Sequence, residues 1–262
     1  MPLFTRALAS SWRSLIGWSL GVIAALSLYL PLFASIGGNG QMKDLLASLP
    51  PELITSLGYD QISTGSGYTQ ATYFGLLGFA LLMIAATAWG TAAIAGDEET
   101  GSLELTLAHG VGRVQVVLER TLAVLVRLAW LGALSCLMVF LLNDSAGLGI
   151  DPANIPGMGA AFVGLGLLTA TSSIAVGALT GRRAFATAAG AGVAVVGYAL
   201  NALANQSADL DAMHNFSPYH WAYGASPLAN GADWGGLGLL YGLAAVLIAV
   251  AAVGLSRRDL VN

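Results

Sequence analysis

Charge is what this chain lacks most. Only 9% of its 262 residues are Asp, Glu, Lys or Arg, against about 25% in soluble domains. With 56% hydrophobic residues and a mean hydropathy of +0.74, the composition excludes a soluble domain and indicates an integral membrane protein. Lysine is nearly missing. Lys43 is the one lysine beside nine arginines, and it stands in no G-x-x-x-x-G-K-[ST] loop, the backbone cradle an ATPase needs. The chain is therefore expected to be no enzyme, with ATP hydrolysis left to another subunit. H-E-x-x-H and G-x-S-x-G are absent as well. Cys136 is the single cysteine, which excludes an internal disulfide; within an apolar run it reads as a small buried residue. Acidic residues are missing from the apolar segments, which weighs against a proton- or sodium-coupled carrier that would bury one. No internal repeat is visible, so inverted-repeat transporter folds gain no support.

What is there is a series of long apolar runs. A spanning helix needs roughly 20 apolar residues. Six such runs occur: Ser14–Ile36, Ala71–Ala95, Leu122–Leu142, Met158–Thr180, Ala184–Ala204 and Gly236–Leu255. The remainder is too short for a second core, so residues 1–262 are expected to form one transmembrane domain. Arg6, Arg13, Arg113, Arg120, Arg127, Arg182, Arg183, Arg257 and Arg258 fall on one side of the alternating runs, and Lys43 alone on the other. The positive-inside rule then places both termini in the cytoplasm, as an even number of spans also requires. The arginine bias fits a GC-rich bacterial genome and a bacterial plasma membrane. The first apolar run is too long for a cleavable signal, and no small-residue cleavage site follows it.

Met1–Arg13 is expected to form an amphipathic interfacial helix with Leu3, Phe4, Leu8 and Trp12 on one face. In the first outer loop, Met42, Leu45, Leu46 and Leu49, then Leu53, Ile54 and Leu57, predict two short helices broken by Pro50-Pro51. Arg113, Arg120 and Arg127 recur every seven residues and lie near one helix face. Snorkelling to the interface is the simpler account of Arg127; pairing or substrate contact is the other. Gly181-Arg182-Arg183 is a tight hairpin between the fourth and fifth spans. The last outer loop carries Phe216-Ser-Pro-Tyr-His-Trp221, Tyr223 and Ser226-Pro227, which predict short helices or a re-entrant turn. His214 and His220 share that loop with Asp209 and Asp211, residue types that ligate metals, but their spacing matches no recurring metal site. Gly17-x-x-x-Gly21, Gly177-x-x-x-Gly181 and Gly238-x-x-x-Gly242 permit close helix contact, within the chain or between two copies.

The one dense charge run lies between the second and third spans. It reads Asp97-Glu98-Glu99-Thr100-Gly101-Ser102-Leu103-Glu104-Leu105-Thr106-Leu107, then Gly110-Val111-Gly112-Arg113. Leu103 and Leu107 are i,i+4 neighbours able to enter a groove, and acidic residues suit a helix start. Leu103, Leu105 and Leu107 also alternate, so pattern alone leaves helix and extended connector both open. This run resembles the cytoplasmic loop of ABC-2 type permeases, the membrane subunits of many bacterial ABC exporters. Their pattern is roughly Glu-x-x-x-Gly-Thr-Leu-Glu-Leu-Leu-Leu followed by Pro-Val-Ser-Arg. Gly101, Leu103, Glu104, Leu105, Leu107, Val111 and Arg113 match; Asp97 and Ser102 are conservative departures; Gly110 and Gly112 replace a proline and a serine.

The resemblance implies an all-α membrane fold of six transmembrane helices with a short interfacial coupling helix between spans 2 and 3. It implies that Asp97, Glu98, Glu99, Gly101, Leu103, Glu104, Leu107 and Arg113 couple the chain to an ATP-binding subunit. Leu103 and Leu107 would fill that subunit's groove, so Leu103→Asp is expected to uncouple the complex without unfolding the spans. Two copies of the ATP-binding subunit, which would hold the ATP and Mg, and a second identical or related permease unit are the implied partners. Membrane lipid surrounds them, and no nucleic acid is implied. Spans 2 and 5 tend to line the path in that family, which selects Thr87, Trp89, Tyr198 and Asn201 here. The expected cargo is lipophilic or amphipathic, an antibiotic, another drug or a lipid, and the resemblance extends to antibiotic exporters, including the polyketide type. Two other classes stay open at this point: a membrane-embedded enzyme built on His214, His220 and nearby carboxylates, and a non-transporting anchor or sensor.

Overall fold

The computed structural model describes residues 2–36 and 62–258. The two short helices expected within Met42–Leu57, with Lys43 among them, lie outside the described residues, as does the end of the chain from Asp259. Among the described residues the architecture is all helical. Six helices are long and apolar enough to cross a membrane. The N-terminal helix, Pro2–Ser10, precedes span 1, Trp12–Ile36. Trp12 thus begins span 1 rather than completing the amphipathic face, and it is exposed.

Span 2 runs over Gly65–Glu99, longer at both ends than the apolar run alone predicts. Two π-helical stretches, Gln70–Leu77 and Ala92–Gly96, flank its α-helical centre. Thr64 starts it, its hydroxyl accepting from the Gly67 N–H. A connector helix, Ser102–Ala108, leads to span 3, Arg113–Asn143. Span 4 is Ile155–Thr180, span 5 Arg183–Ala204 and span 6 Trp234–Arg257. The loop between spans 5 and 6 folds into the short helices the sequence allowed: a 3-10 turn at Ala208–Phe216, then Pro218–Tyr223 and Pro227–Asn230.

Span 4 is the axis of the bundle. In its most apolar window 83% of residues are buried, against 17% in span 1 and 22% in spans 5 and 6. Its sequence explains the position. A helix apolar all round has no face to present to water, and glycines and alanines let neighbours come close. A Cβ on Gly90 of span 2 would run into the Ala170 backbone, and one on Gly132 of span 3 into Val163. The core between spans 2, 3 and 4 holds Tyr73, Phe74 and Phe162, with Phe74 and Phe162 edge to face at 5.2 Å. The buried Tyr73 hydroxyl is satisfied by Ser135 Oγ at 2.7 Å, as a polar group in this setting must be.

Spans 1, 5 and 6 turn Leu20, Leu28, Val195, Val196, Leu239, Val246 and Val253 outward. Such apolar faces suit lipid, where the backbone is paired within each helix. The glycine pairs divide accordingly. Gly177 packs against Ala95 and Ala186, whereas Gly17, Gly238 and Gly242 face open space.

Candidate functional site

The connector region between spans 2 and 3 is held by two ion pairs and by hydrogen bonds to backbone groups, which tie it to spans 3, 5 and 6. Asp97 pairs with Arg120 of span 3, and Arg120 Nη1 also donates to the Ala93 carbonyl at 2.9 Å. Glu98 pairs with Arg258 at the end of span 6. Glu99 Oε1 accepts from the Arg183 backbone N–H at 2.9 Å, at the start of span 5. Arg113 Nη1 donates to the carbonyls of Leu255, at 3.0 Å, and Arg258. Asp97, Glu98, Glu99 and Arg113 thus all bond within the chain; Glu99 is nevertheless exposed and Glu104 half-buried.

Two glycines make this geometry possible. Gly101 separates span 2 from the connector helix with φ of 73°, a left-handed turn that costs a residue with a Cβ. Gly181 closes the span 4–span 5 hairpin at φ of 69° and lies under the Glu98–Arg258 pair, where a Cβ would collide with both partners.

The connector helix corrects one expectation. Leu103 is 0% exposed and belongs to the chain's own core, with Leu107 packed beside it. Leu103 therefore does not reach outward to fill a groove on another protein, while Leu107 is half-buried. The exposed positions are Leu105, at 66%, with Ala108 and His109. The heptad-like spacing of the arginines also resolves differently from simple snorkelling. Arg127 is only 7% exposed. Its Nε donates to the Ala123 carbonyl at 3.0 Å and Nη1 to Ser11 Oγ at 3.0 Å, and its guanidinium lies 5.0 Å from the Trp89 ring centroid.

Spans 2 and 5 frame a lateral groove of about 730 Å3. Its walls are mostly apolar, with Phe79, Met83 and Val195, and carry hydroxyls from Thr87, Thr91, Thr187 and Tyr198. Thr87 and Tyr198, both selected from the sequence, line this same groove. Trp89 does not join them. Its Nε1 donates to Ser14 Oγ at 3.1 Å, and it lines a separate cavity on the connector face. Asn201 lies beyond the groove, in a polar cavity of about 560 Å3 on the opposite face.

Between groove and polar cavity stands an aromatic layer. Tyr219 packs edge to face on Phe79 at 5.3 Å and on Tyr198 at 5.2 Å, and its hydroxyl donates to the Gly75 carbonyl at 3.0 Å. That carbonyl belongs to the first π-helical stretch of span 2, a deviation that recurs at functional sites. Ser217 fixes the layer's helix. Its hydroxyl donates to the Gly197 carbonyl at 2.7 Å and accepts from the His220 N–H at 3.1 Å. In the cavity beyond, His214 and His220 stack at 3.9 Å. Asn201 Oδ1 lies 3.3 Å from His220 Nδ1, and His214 contacts Asp211 and Asn205. Burial, then the neighbouring His214, pulls the His220 pKa below its ordinary value.

A connector tied to four spans, above a groove between spans 2 and 5, is the arrangement expected of one class of membrane subunit. The family model of ABC-2 family transporter proteins matches residues 1–260. The chain belongs to that family. No curated protein matches it at a significant level. As an ABC-2 family permease it is a multi-pass membrane component of a transport system, and membership implies an ATP-binding partner subunit.

Sequence reasoning missed three residues of this permease. Phe79 and Tyr219 complete the aromatic layer; their contact joins residues 140 positions apart and leaves no local signal. Glu119 is 5% exposed, and Oε2 accepts from the backbone N–H groups of Leu3, at 3.1 Å, and Phe4, at 3.0 Å. It thereby seats the start of the N-terminal helix on span 3, using the favourable placement of a carboxylate at a helix N-terminus.

Proposed function

We propose that this permease is the transmembrane subunit of an ATP-driven bacterial exporter. Two six-span units, identical or related, pair with their span 2–span 5 grooves facing a shared path, and two ATP-binding subunits sit below the connectors. Both termini and the connectors then lie in the cytoplasm of a cell whose plasma membrane holds the complex. The cargo is lipophilic or amphipathic, in keeping with the apolar groove and its few hydroxyls; antibiotics and related compounds are the class the sequence pattern favours. Cargo passes the Phe79–Tyr198–Tyr219 layer and leaves through the polar cavity around Asn201.

One observation carries this reading: Asp97 and Glu98, at the end of span 2 where the connector begins, are paired to Arg120 of span 3 and to Arg258 at the end of span 6. A connector held in this way does not move independently of the spans. Closure of ATP-binding subunits against Glu99, Glu104 and Leu105 is then transmitted to spans 2, 3 and 6. The test is a charge exchange in the complete complex. Asp97→Arg and Arg120→Asp each abolish cargo-stimulated ATPase activity, and the double exchange restores a substantial part of it. Single variants that keep full cargo-stimulated activity would refute the transmission route.

A further inference from the structure

On the connector face a cavity of about 490 Å3 opens between the N-terminal helix, the connector helix and spans 2 and 3. Arg6, Arg120 and Arg127 line it, and the one lining carboxylate, Asp97, is taken by Arg120. Two guanidiniums therefore have no counter-charge among the described residues. Arg6 is exposed at the rim. Arg127 is the more telling, since it is 93% buried by its 7% exposure and holds only neutral partners: a carbonyl, a hydroxyl and the Trp89 ring. Burying an ionised side chain without an opposite charge is costly. A cavity lined by that charge is a place where an anion offsets the cost.

We propose that this cavity binds a phosphate monoester group. Guanidinium forks match phosphate oxygens in bidentate geometry. Two uncompensated positive charges match a phosphate monoester, which carries about −1.5 to −2 at pH 7, better than a single carboxylate. Leu3, Trp89 and Leu105 give the cavity an apolar part beside its hydroxyls, and that part accepts the first carbons of an acyl chain. A bound phosphate bridges Arg6 on the N-terminal helix and Arg127 on span 3, beside Ser102 and His109 of the connector helix. The site lies outside the span 2–span 5 groove and is independent of what the permease transports.

The test uses the whole chain in detergent, with binding read by native mass spectrometry and by the change in tryptophan emission that is lost in Trp89→Phe. The probes are dioctanoyl phosphatidic acid, dioctanoylglycerol with the same tails and no phosphate, and inorganic phosphate. The phosphatidic acid binds the wild-type chain and dioctanoylglycerol does not. Arg127→Gln weakens binding about 10-fold or more, the loss of one charge-assisted hydrogen bond. Arg6→Gln, at an exposed position that leaves the fold intact, weakens it several-fold, and Arg127→Lys retains part of the affinity. Displacement by inorganic phosphate at similar concentration assigns the site to free phosphate; failure to displace assigns it to a lipid headgroup. Equal binding of dioctanoylglycerol, or unchanged affinity in both Arg127→Gln and Arg6→Gln, overturns the proposal.

Discussion

Replacing Leu103 by alanine removes a side chain that is 0% exposed in the connector helix. A buried leucine truncated to alanine costs about 2–5 kcal/mol, the spread depending on how far the site collapses. Leu105, two residues on, is 66% exposed, and a surface truncation there changes stability by no more than about 0.5 kcal/mol. The two variants therefore separate folding of the connector from docking on it. Hydrogen exchange of the Ser102–Ala108 amides reads local opening directly. Leu103→Ala raises their exchange roughly 30-fold or more, since each 1.4 kcal/mol is a factor of ten, while Leu105→Ala leaves it nearly unchanged. Co-purification of the ATP-binding subunit reads docking, and there Leu105→Asp is the damaging change. Protected amides in Leu103→Ala, or full retention of the partner by Leu105→Asp, would refute this division of labour.

Gly101→Ala places a Cβ on a backbone with φ of 73° where nothing else lies within 4 Å, so its cost is conformational alone, about 1–2 kcal/mol. Gly181→Ala adds a collision with the Glu98–Arg258 pair, and the greater loss of thermal stability is expected there; the reverse order would contradict the hairpin's role. Burial, and after it the charge of His214, holds the folded-state pKa of His220 below its ordinary 6.5, against Asp211 and Asp233, which favour the charged form. Stability of the loop between spans 5 and 6 is thus full above pH 6.5 and falls as pH drops through the folded-state value; His220→Gln flattens that dependence in hydrogen exchange of Pro218–Tyr223. Tyr219→Ala opens the aromatic layer, so ATPase activity becomes less dependent on cargo and export per ATP falls. After Cys136→Ser, cysteines at Ser48 and Asn230 label from outside the cell and cysteines at Ser102 and Asn262 do not; labelling at Ser102 from outside would reverse the orientation.

The six spans were legible because a bilayer imposes length and polarity on each segment separately, and a run of twenty apolar residues satisfies both without tertiary context. Span ends were less legible. Span 2 continues through Asp97–Glu99 and span 3 begins at Arg113 because ion pairs and backbone contacts hold polar helix ends that an apolar run does not include. Gly101 was visible as a motif residue, and the structure supplies its reason in a positive φ. The connector's buried side was not legible. Leu103 and Leu107 have the same spacing whether they face a partner or the chain's own core, and only packing against the spans distinguishes the two. Trp89 and Asn201 show the same limit along the path. Each lies on a span selected for the path, but one turns to Arg127 and the other sits beside His220.

ATP-driven transport by the assembled complex tests the central claim most directly. Inverted membrane vesicles are prepared from cells expressing this permease with its ATP-binding partner subunit, and accumulation of lipophilic fluorescent antibiotics is followed. The account predicts accumulation that requires ATP, is lost in the Asp97→Arg permease and changes in cargo preference with Thr87→Leu in the span 2–span 5 groove. A complex that assembles and hydrolyses ATP, yet moves these compounds no differently with Thr87→Leu or Asp97→Arg, would contradict it.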